Sequence, residues 1–308
     1  MATPGFRLHI GGMTRTSFPT TTLWSIAMTA RLPESAVVFG GTLVGARLAY
    51  VADWPAVTII ALSNTLLFAA SMLINDAHDV GEDVINKPKR AVASGRLPPP
   101  LASLGGAVCF VTAIVLAAFV DLRFGVLALA ITLLSGAYTL WLKGVPLVGS
   151  GLVAIISTYP LSCWLLVALE PTLTYVTLIA SCVAFRLGAE VLKTAEDAVG
   201  DAAQNIRTVA TTMGVLFANR MGVFLLVVGL TGAWLPVVQG TANPVYLTML
   251  GVSCALALWA GVHAGAGFPS VRTPSGRFVT VQRTIMLMML IGLGLGLSGG
   301  SVALAALP

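Results

Sequence analysis

Apolar residues in this chain neither alternate nor recur at every third or fourth position. They run in long stretches broken by short polar joints. The stretches cover roughly 35–51, 55–75, 101–120, 124–142, 147–169, 172–193, 212–238, 243–263 and 284–306. At 1.5 Å per residue each is about long enough to cross a ~30 Å hydrocarbon layer as a helix, the form in which a single segment satisfies all its backbone groups in lipid. The pattern predicts an all-α integral membrane protein with about nine transmembrane helices in a bundle. Lys143-Gly144-Val145-Pro146 reads as the turn between the fourth and fifth spans. The chain reads as one domain over 1–308. Within it, 1–34 is expected as a cytosolic N-terminal segment, and 76–100 and 194–211 as cytosolic motif loops whose short helices cap the bundle. Residues 264–283 form a third polar loop. The first 34 residues are mixed and polar, so the first span is expected to direct insertion itself.

Composition agrees with that class. Hydrophobic residues make up 57% of the 308 positions and charged ones 9%, far from a soluble domain. The net charge of +5 comes from 17 Lys and Arg against 12 acids. With the N-terminus inside, the cytoplasmic loops collect most of these cations and the other face has little beyond Arg47 and Arg123. The excess is therefore the positive-inside bias, with no call for a nucleic-acid partner. Cys109, Cys163, Cys182 and Cys254 lie singly in apolar stretches and read as small core residues. Gly292, Gly294 and Gly296 follow no strand and read as helix packing, not a nucleotide loop.

The acids change the picture. Eight of the twelve fall in two short blocks, Asn75 to Asp83 and Glu190 to Asp201, one at the end of the second span and one at the end of the sixth. Charges are costly near lipid and like charges repel, so two carboxylate blocks on one side imply a shared cation at the mouth of a membrane-embedded cavity. Asn75, Asp79 and Asp83 recur every four residues and line one helical stripe, with Asp76 rotated about 100° away. Glu190, Asp197 and Asp201 repeat the arrangement, with Lys193 and Thr194 beside them. Hard oxygens of this kind suit Mg²⁺, which binds through one or two carboxylates and fills its shell with water and phosphate oxygens. Cations that could meet a diphosphate follow each stripe: Lys87, Arg90 and Arg96 after the first, Lys193 and Arg207 in and beyond the second. His78 reads as an interfacial polar residue, or else as a base or ligand beside the metal-holding acids; Tyr138 could face the cavity and steady a cation.

These residues resemble a family. Asn75-Asp76-xx-Asp79-xxx-Asp83, followed by Asn86-Lys87-Pro88-x-Arg90 and Ser94-Gly95-Arg96, is similar to the NDxxDxxxD signature, with its NKPxRP and SG continuation, of the UbiA superfamily of intramembrane prenyltransferases. Lys193-xxx-Asp197-xx-Gly200-Asp201 with Ile206-Arg207-Thr208 resembles that superfamily's KDxxDxxGD and GIRT. Tyr138-xxxx-Lys143 resembles its YSxxLK element, and Arg31-Leu32-Pro33 the Arg-Pro before its first helix. The resemblance implies helices around a central cavity and Mg²⁺ with an allylic prenyl diphosphate at the cytosolic end. Asn75, Asp79 and Asp83 would serve one metal and Asp197 and Asp201 the other; Arg90, Lys193 and Arg207 would contact the diphosphate. Three positions depart from the pattern. Thr194 stands for an Asp, Ala189 for an Arg and Ala91 for a Pro. The metal positions survive; the acceptor side is altered.

The expected activity is Mg²⁺-dependent transfer of an isoprenoid chain to a lipid-soluble or aromatic acceptor, with release of diphosphate. Asp79, Asp197 and Tyr138 are the catalytic candidates, and Asp76, Lys143, Thr194 and Glu190 complete the set. The runner-up is a membrane-embedded terpene cyclase. A transporter is disfavoured because the carboxylates sit at one face only.

Overall fold

Long apolar segments can hide their backbone in lipid only by coiling, and in the computed structural model they do so throughout the residues it describes, 20–168, 170–265 and 277–297. The helices are α1 (Thr20–Thr29), α2 (Leu32–Leu48), α3 (Trp54–His78), α4 (Val80–Asn86), α5 (Pro99–Val120), α6 (Leu122–Ala137), α7 (Val148–Ser162), α8 (Leu173–Ala203), α9 (Val209–Met213), α10 (Val215–Gly232), α11 (Leu235–Val238), α12 (Pro244–Gly265) and α13 (Arg277–Gly296). A π turn, Tyr138–Leu142, prolongs α6, and a 3₁₀ turn, Cys163–Leu166, prolongs α7. Among the described residues there is no strand, only an isolated bridge between Ala242 and Leu297.

Six segments are long and apolar enough to cross a membrane: Trp54–His78, Pro99–Val120, Leu122–Leu142, Val148–Leu166, Leu173–Ala203 and Val215–Val238. Pro244–Ala260 and Thr280–Gly296 are apolar but shorter, and α2 has 17 residues with Glu34 and Arg47 near its ends. Residues 298–306 of the last expected span and 266–276 of the third polar loop lie outside the described residues, as do 1–19 of the N-terminal segment.

The second acidic block differs from its expected form. The sixth span was expected to end near 193 and give way to a loop; α8 instead continues to Ala203. Ala195, Ala198, Ala202 and Ala203 are strong helix formers, and no residue before Asn205 forces an exit. Asn205 then takes a left-handed φ of 56°, a conformation suited to ending a helix. Asp197 and Asp201 thus ride on one rigid rod with Glu190. The first block does break: Asp79 both ends α3 and begins α4. The turn is slight, because the Asp79 N–H still bonds the Asn75 carbonyl at 2.8 Å and the Asp83 N–H the Asp79 carbonyl at 2.9 Å.

Close approach of helices rests on small residues, since lipid gives no hydrophobic drive between two apolar rods. A Cβ at Gly188 of α8 would stand 2.6 Å from the Gly222 carbonyl of α10, and one at Gly229 would meet the Phe185 backbone. Gly292 and Gly296 do the same for α13 against Met249 and Tyr246 of α12. In the interior Trp164 donates its indole N–H to the Thr42 carbonyl at 2.8 Å and sets its ring edge-on to Phe124 at 5.3 Å. Away from the acidic blocks, Arg47 donates to the carbonyls of Gly294 and Leu297, satisfying the end of α13. The cysteines are all free.

At the other end α4 is tied to α8 by one side chain. Asn86 Nδ2 donates to the Asp197 carbonyl at 3.0 Å while Asn86 Oδ1 accepts from the Gly200 N–H at 3.0 Å. Any Cβ at position 200 would fall on the Asn86 amide. Asn86→Ala and Gly200→Ala should therefore each cost about 1–3 kcal/mol, read as a lower thermal midpoint of the purified protein in detergent. The double variant should lose little beyond the worse single one, because both break the same clamp.

Candidate active site

The Asn86 clamp brings the two acidic blocks together, and charge does the rest. Lys87, next along the chain, reaches Asp197 Oδ2 at 2.5 Å. Arg90 bridges Asp76 Oδ1 at 2.8 Å and Asp83 Oδ2 at 2.7 Å, and Arg31 adds a second guanidinium to Asp76 at 3.2 Å. Asp76, expected to point away from the stripe, is thus held by the same arginine as Asp83. Asp76, Asp79 and Asp83 are all buried. Asn75 donates its amide to Asp79 Oδ2 at 2.5 Å.

Lys143 arrives from the end of the π turn. Its ammonium lies 2.7 Å from Asp79 Oδ1 and also contacts Glu82. The Asp79 oxygen is buried, and this ammonium is its one close polar partner among the described residues. Burial pushes the Glu82 carboxyl above its usual range, against the lowering pull of Lys143. Burial works against the Lys143 ammonium too, but Asp79 and Glu82 outweigh it and hold the group above its ordinary value. Tyr138 opens the same π turn, within electrostatic reach of Glu190, Asp79, Asp201 and Glu82.

Along α8, Asp201 is buried and Asp197 half-buried. Glu190, seven residues before Asp197, stands about 10 Å deeper along the axis. It accepts from Lys193 at 2.8 Å and from Arg186 at 2.6 Å. Arg186 escaped the sequence reading because it belongs to no motif and sits inside an apolar run; the signal available was an i, i+4 Arg–Glu pair within a membrane span. Asn86 and Glu82 were likewise not singled out as site residues. Thr194 turns its hydroxyl back to the Val191 carbonyl at 2.8 Å, and Ala189 is buried in the packing of α8 on α10.

Three expected residues stand apart from the acids. Arg96 is exposed and donates to Ser94 Oγ at 3.0 Å and to the Lys89 carbonyl at 2.5 Å, so it ties its own loop. Arg207 is exposed beyond the end of α8 and makes no ion pair among the described residues, and His78 is exposed.

The donor set fits Mg²⁺ in one mode. Among the described residues no three acidic, His or Cys side chains converge on a point, so there is no all-protein cage. What exists is a buried carboxylate oxygen of Asp79 whose one close partner is the Lys143 ammonium, and a half-buried carboxylate of Asp197 held by Lys87. Carboxylates in ones and twos, with remaining positions open to water and phosphate oxygens, are what Mg²⁺ prefers.

Comparison with known proteins gives the same frame. The model of the UbiA prenyltransferase family matches residues 19–267. The digeranylgeranylglyceryl phosphate synthase of Methanopyrus kandleri is 29% identical over 259 residues, 83% of this chain and 90% of that protein. The enzyme of the same name from Hyperthermus butylicus is 30% identical over 225 residues, 70% of this chain and 71% of its own. Among solved structures, the apo UbiA homologue from Aeropyrum pernix superposes with a TM-score of 0.67 at 15% identity, covering 86% of this chain and 96% of its own. The Archaeoglobus fulgidus homologue bound to GPP and Mg²⁺ superposes with a TM-score of 0.64 at 13% identity, covering 88% of this chain and 98% of its own. With a family match over most of its length and this fold, the chain belongs to the UbiA prenyltransferase family.

Proposed function

We propose that this protein transfers an isoprenoid chain within the membrane from an allylic prenyl diphosphate to a hydroxyl-bearing, lipid-soluble acceptor, and that Asp79, Asp83, Asp197 and Asp201, with Asn75, hold Mg²⁺ and diphosphate between α3–α4 and α8. The observation that carries the proposal is the interleaving of the two acidic blocks with Lys87, Arg90 and Lys143 at one end of the bundle. In this reading α2, α12 and α13 join the six longer helices in a nine-span, single-domain bundle. The acidic end faces the cytoplasm, where the positive-inside bias puts the basic loops, and the short helices α4 and α9 cap it.

The chemistry follows from charge. Mg²⁺, when bound, neutralises the charge that grows on the departing diphosphate. Lys87 and Lys143, which pair with Asp197 and Asp79, are the ammonium groups placed to donate to phosphate oxygens. Arg90 is fixed by Asp76 and Asp83 and presents its remaining N–H groups without reorganising. Lys193 adds charge on the inner side; Arg96 and Arg207, which stand apart from the acids, would have to turn from their exposed positions to reach the outer phosphate.

The bond between C1 of the prenyl chain and the diphosphate oxygen breaks with its electron pair on diphosphate. The acceptor oxygen forms the new bond to C1, and its proton leaves to a carboxylate or to solvent. Tyr138, within electrostatic reach of Glu190 and of both acidic blocks, would steady the allylic cation through its ring. The surrounding apolar helices keep water from capturing it.

Purified protein incubated with geranyl, farnesyl or geranylgeranyl diphosphate and Mg²⁺ should release diphosphate in step with a conjugate and only when an acceptor is supplied. A cyclic terpene formed without acceptor would replace transfer by cyclisation. Asp79→Asn and Asp197→Asn should each lower release at least about 100-fold with the thermal midpoint retained. Chelation of Mg²⁺ should stop release by the wild type, and its return should restore it.

A further inference from the structure

Lys143 is held by two carboxylates, and only one of them belongs to the acidic motif. Its ammonium lies 2.7 Å from Asp79 Oδ1 and also contacts Glu82 Oε2. Glu82 falls on a position that the NDxxDxxxD pattern leaves open, just before Asp83 on α4. Its side chain is 15% exposed and that of Lys143 18%, so the pair is largely withdrawn from water. A carboxylate in such a place is costly without a cation, and Lys143 is its one ion-pair partner among the described residues.

The other lysine of the site lacks this second hold. Among the described residues Lys87 makes one ion pair, with Asp197. If Asp197 and Asp79 serve a metal, Lys87 loses its one carboxylate, whereas Lys143 keeps Glu82. An ammonium and a divalent cation compete for a single carboxylate oxygen, and Asp79 with Glu82 provides two. An ammonium also has three N–H donors. With Glu82 taking one, the others are left for phosphate oxygens when Asp79 is given up. Glu82 lies within electrostatic reach of Asp79, Asp83 and Asp201 as well, so direct ligation of the metal is the competing account.

We propose that Glu82 is a positioning residue that keeps Lys143 beside the diphosphate while Asp79 serves Mg²⁺. The proposal rests on the prenyl-transfer reading of the same site. Glu82 acts through Lys143 and touches neither metal nor substrate. Without it, Lys143 has Asp79 alone as its partner and contests that carboxylate with Mg²⁺. More Mg²⁺ is then needed to load the site, and the diphosphate meets a less firmly placed cation.

Binding of geranylgeranyl thiodiphosphate, an analogue that resists ionisation, to the detergent-purified full chain tests this without turnover. Mg²⁺ is titrated at a fixed concentration of the analogue. Glu82→Gln should raise the Mg²⁺ midpoint at least about fivefold. Glu82→Asp keeps the charge but draws it back by one methylene, and should raise the midpoint at least about threefold. A field effect of the charge alone would leave Glu82→Asp at the wild-type value. In a Lys143→Met background, Glu82→Gln should change the midpoint by less than about twofold, because the group it acts through is gone. Thermal midpoints recorded without Mg²⁺ establish that each variant is folded; where Glu82→Gln or Lys143→Met proves unstable, Glu82→Asp decides alone. A wild-type midpoint in Glu82→Asp overturns the positioning role. So does a shift on Glu82→Gln that persists in full in the Lys143→Met background, which would make Glu82 a ligand of the metal. Failure of the wild type to bind the analogue at any Mg²⁺ concentration overturns the prenyl-transfer reading itself.

Discussion

A carboxylate at the edge of a hydrocarbon layer stays ionised only while a cation stands beside it, and most of the site is built from that requirement. Arg90 holds Asp76 and Asp83 together, Lys143 stands against Asp79, and Lys87 crosses from one acidic block to the other to reach Asp197. The contact from Lys87 to Asp197 requires α4 to lie against α8, which the Asn86 amide secures by taking one donor and one acceptor from the α8 backbone. Gly200 is the residue that lets the amide come so close. The polar end of the bundle is therefore a charge network closed around two helices, and its cations occupy positions that a metal and a phosphate would contest.

That arrangement connects folding to function. In the proposed reaction, the ion pairs that keep the acids tolerable also hold the cations that would receive a leaving diphosphate. The helices below stay apolar and closely packed through Gly188, Gly222 and Gly229. The Arg186, Glu190 and Lys193 cluster extends the network inward with the opposite sign, giving the site a direction: acids toward the end, bases toward the interior.

Sequence patterning revealed the helical membrane class and set the two acidic blocks at helix ends, because long apolar runs and clustered carboxylates leave unambiguous marks. It stopped α8 too early, since Thr194 to Ala203 is polar enough to resemble a loop although its alanines favour helix. It kept Asp76 as a further candidate but off the stripe, because helical rotation says nothing of Arg31 and Arg90 arriving from elsewhere in the chain. It passed over Arg186, whose partners Ser157 and Met286 are 29 and 100 residues distant and could be joined to it only by the fold. Local periodicity reports which face a residue occupies; long-range pairing decides what it meets there.

The most direct measurement is a structure of the protein with geranylgeranyl thiodiphosphate and Mg²⁺. Shared use of both acidic blocks requires the diphosphate to lie between Asp79 and Asp83 on one side and Asp197 and Asp201 on the other, with Lys87 and Lys143 turned from their carboxylates to phosphate oxygens. A ligand bound elsewhere, with the Lys87–Asp197 and Lys143–Asp79 contacts intact, would contradict it.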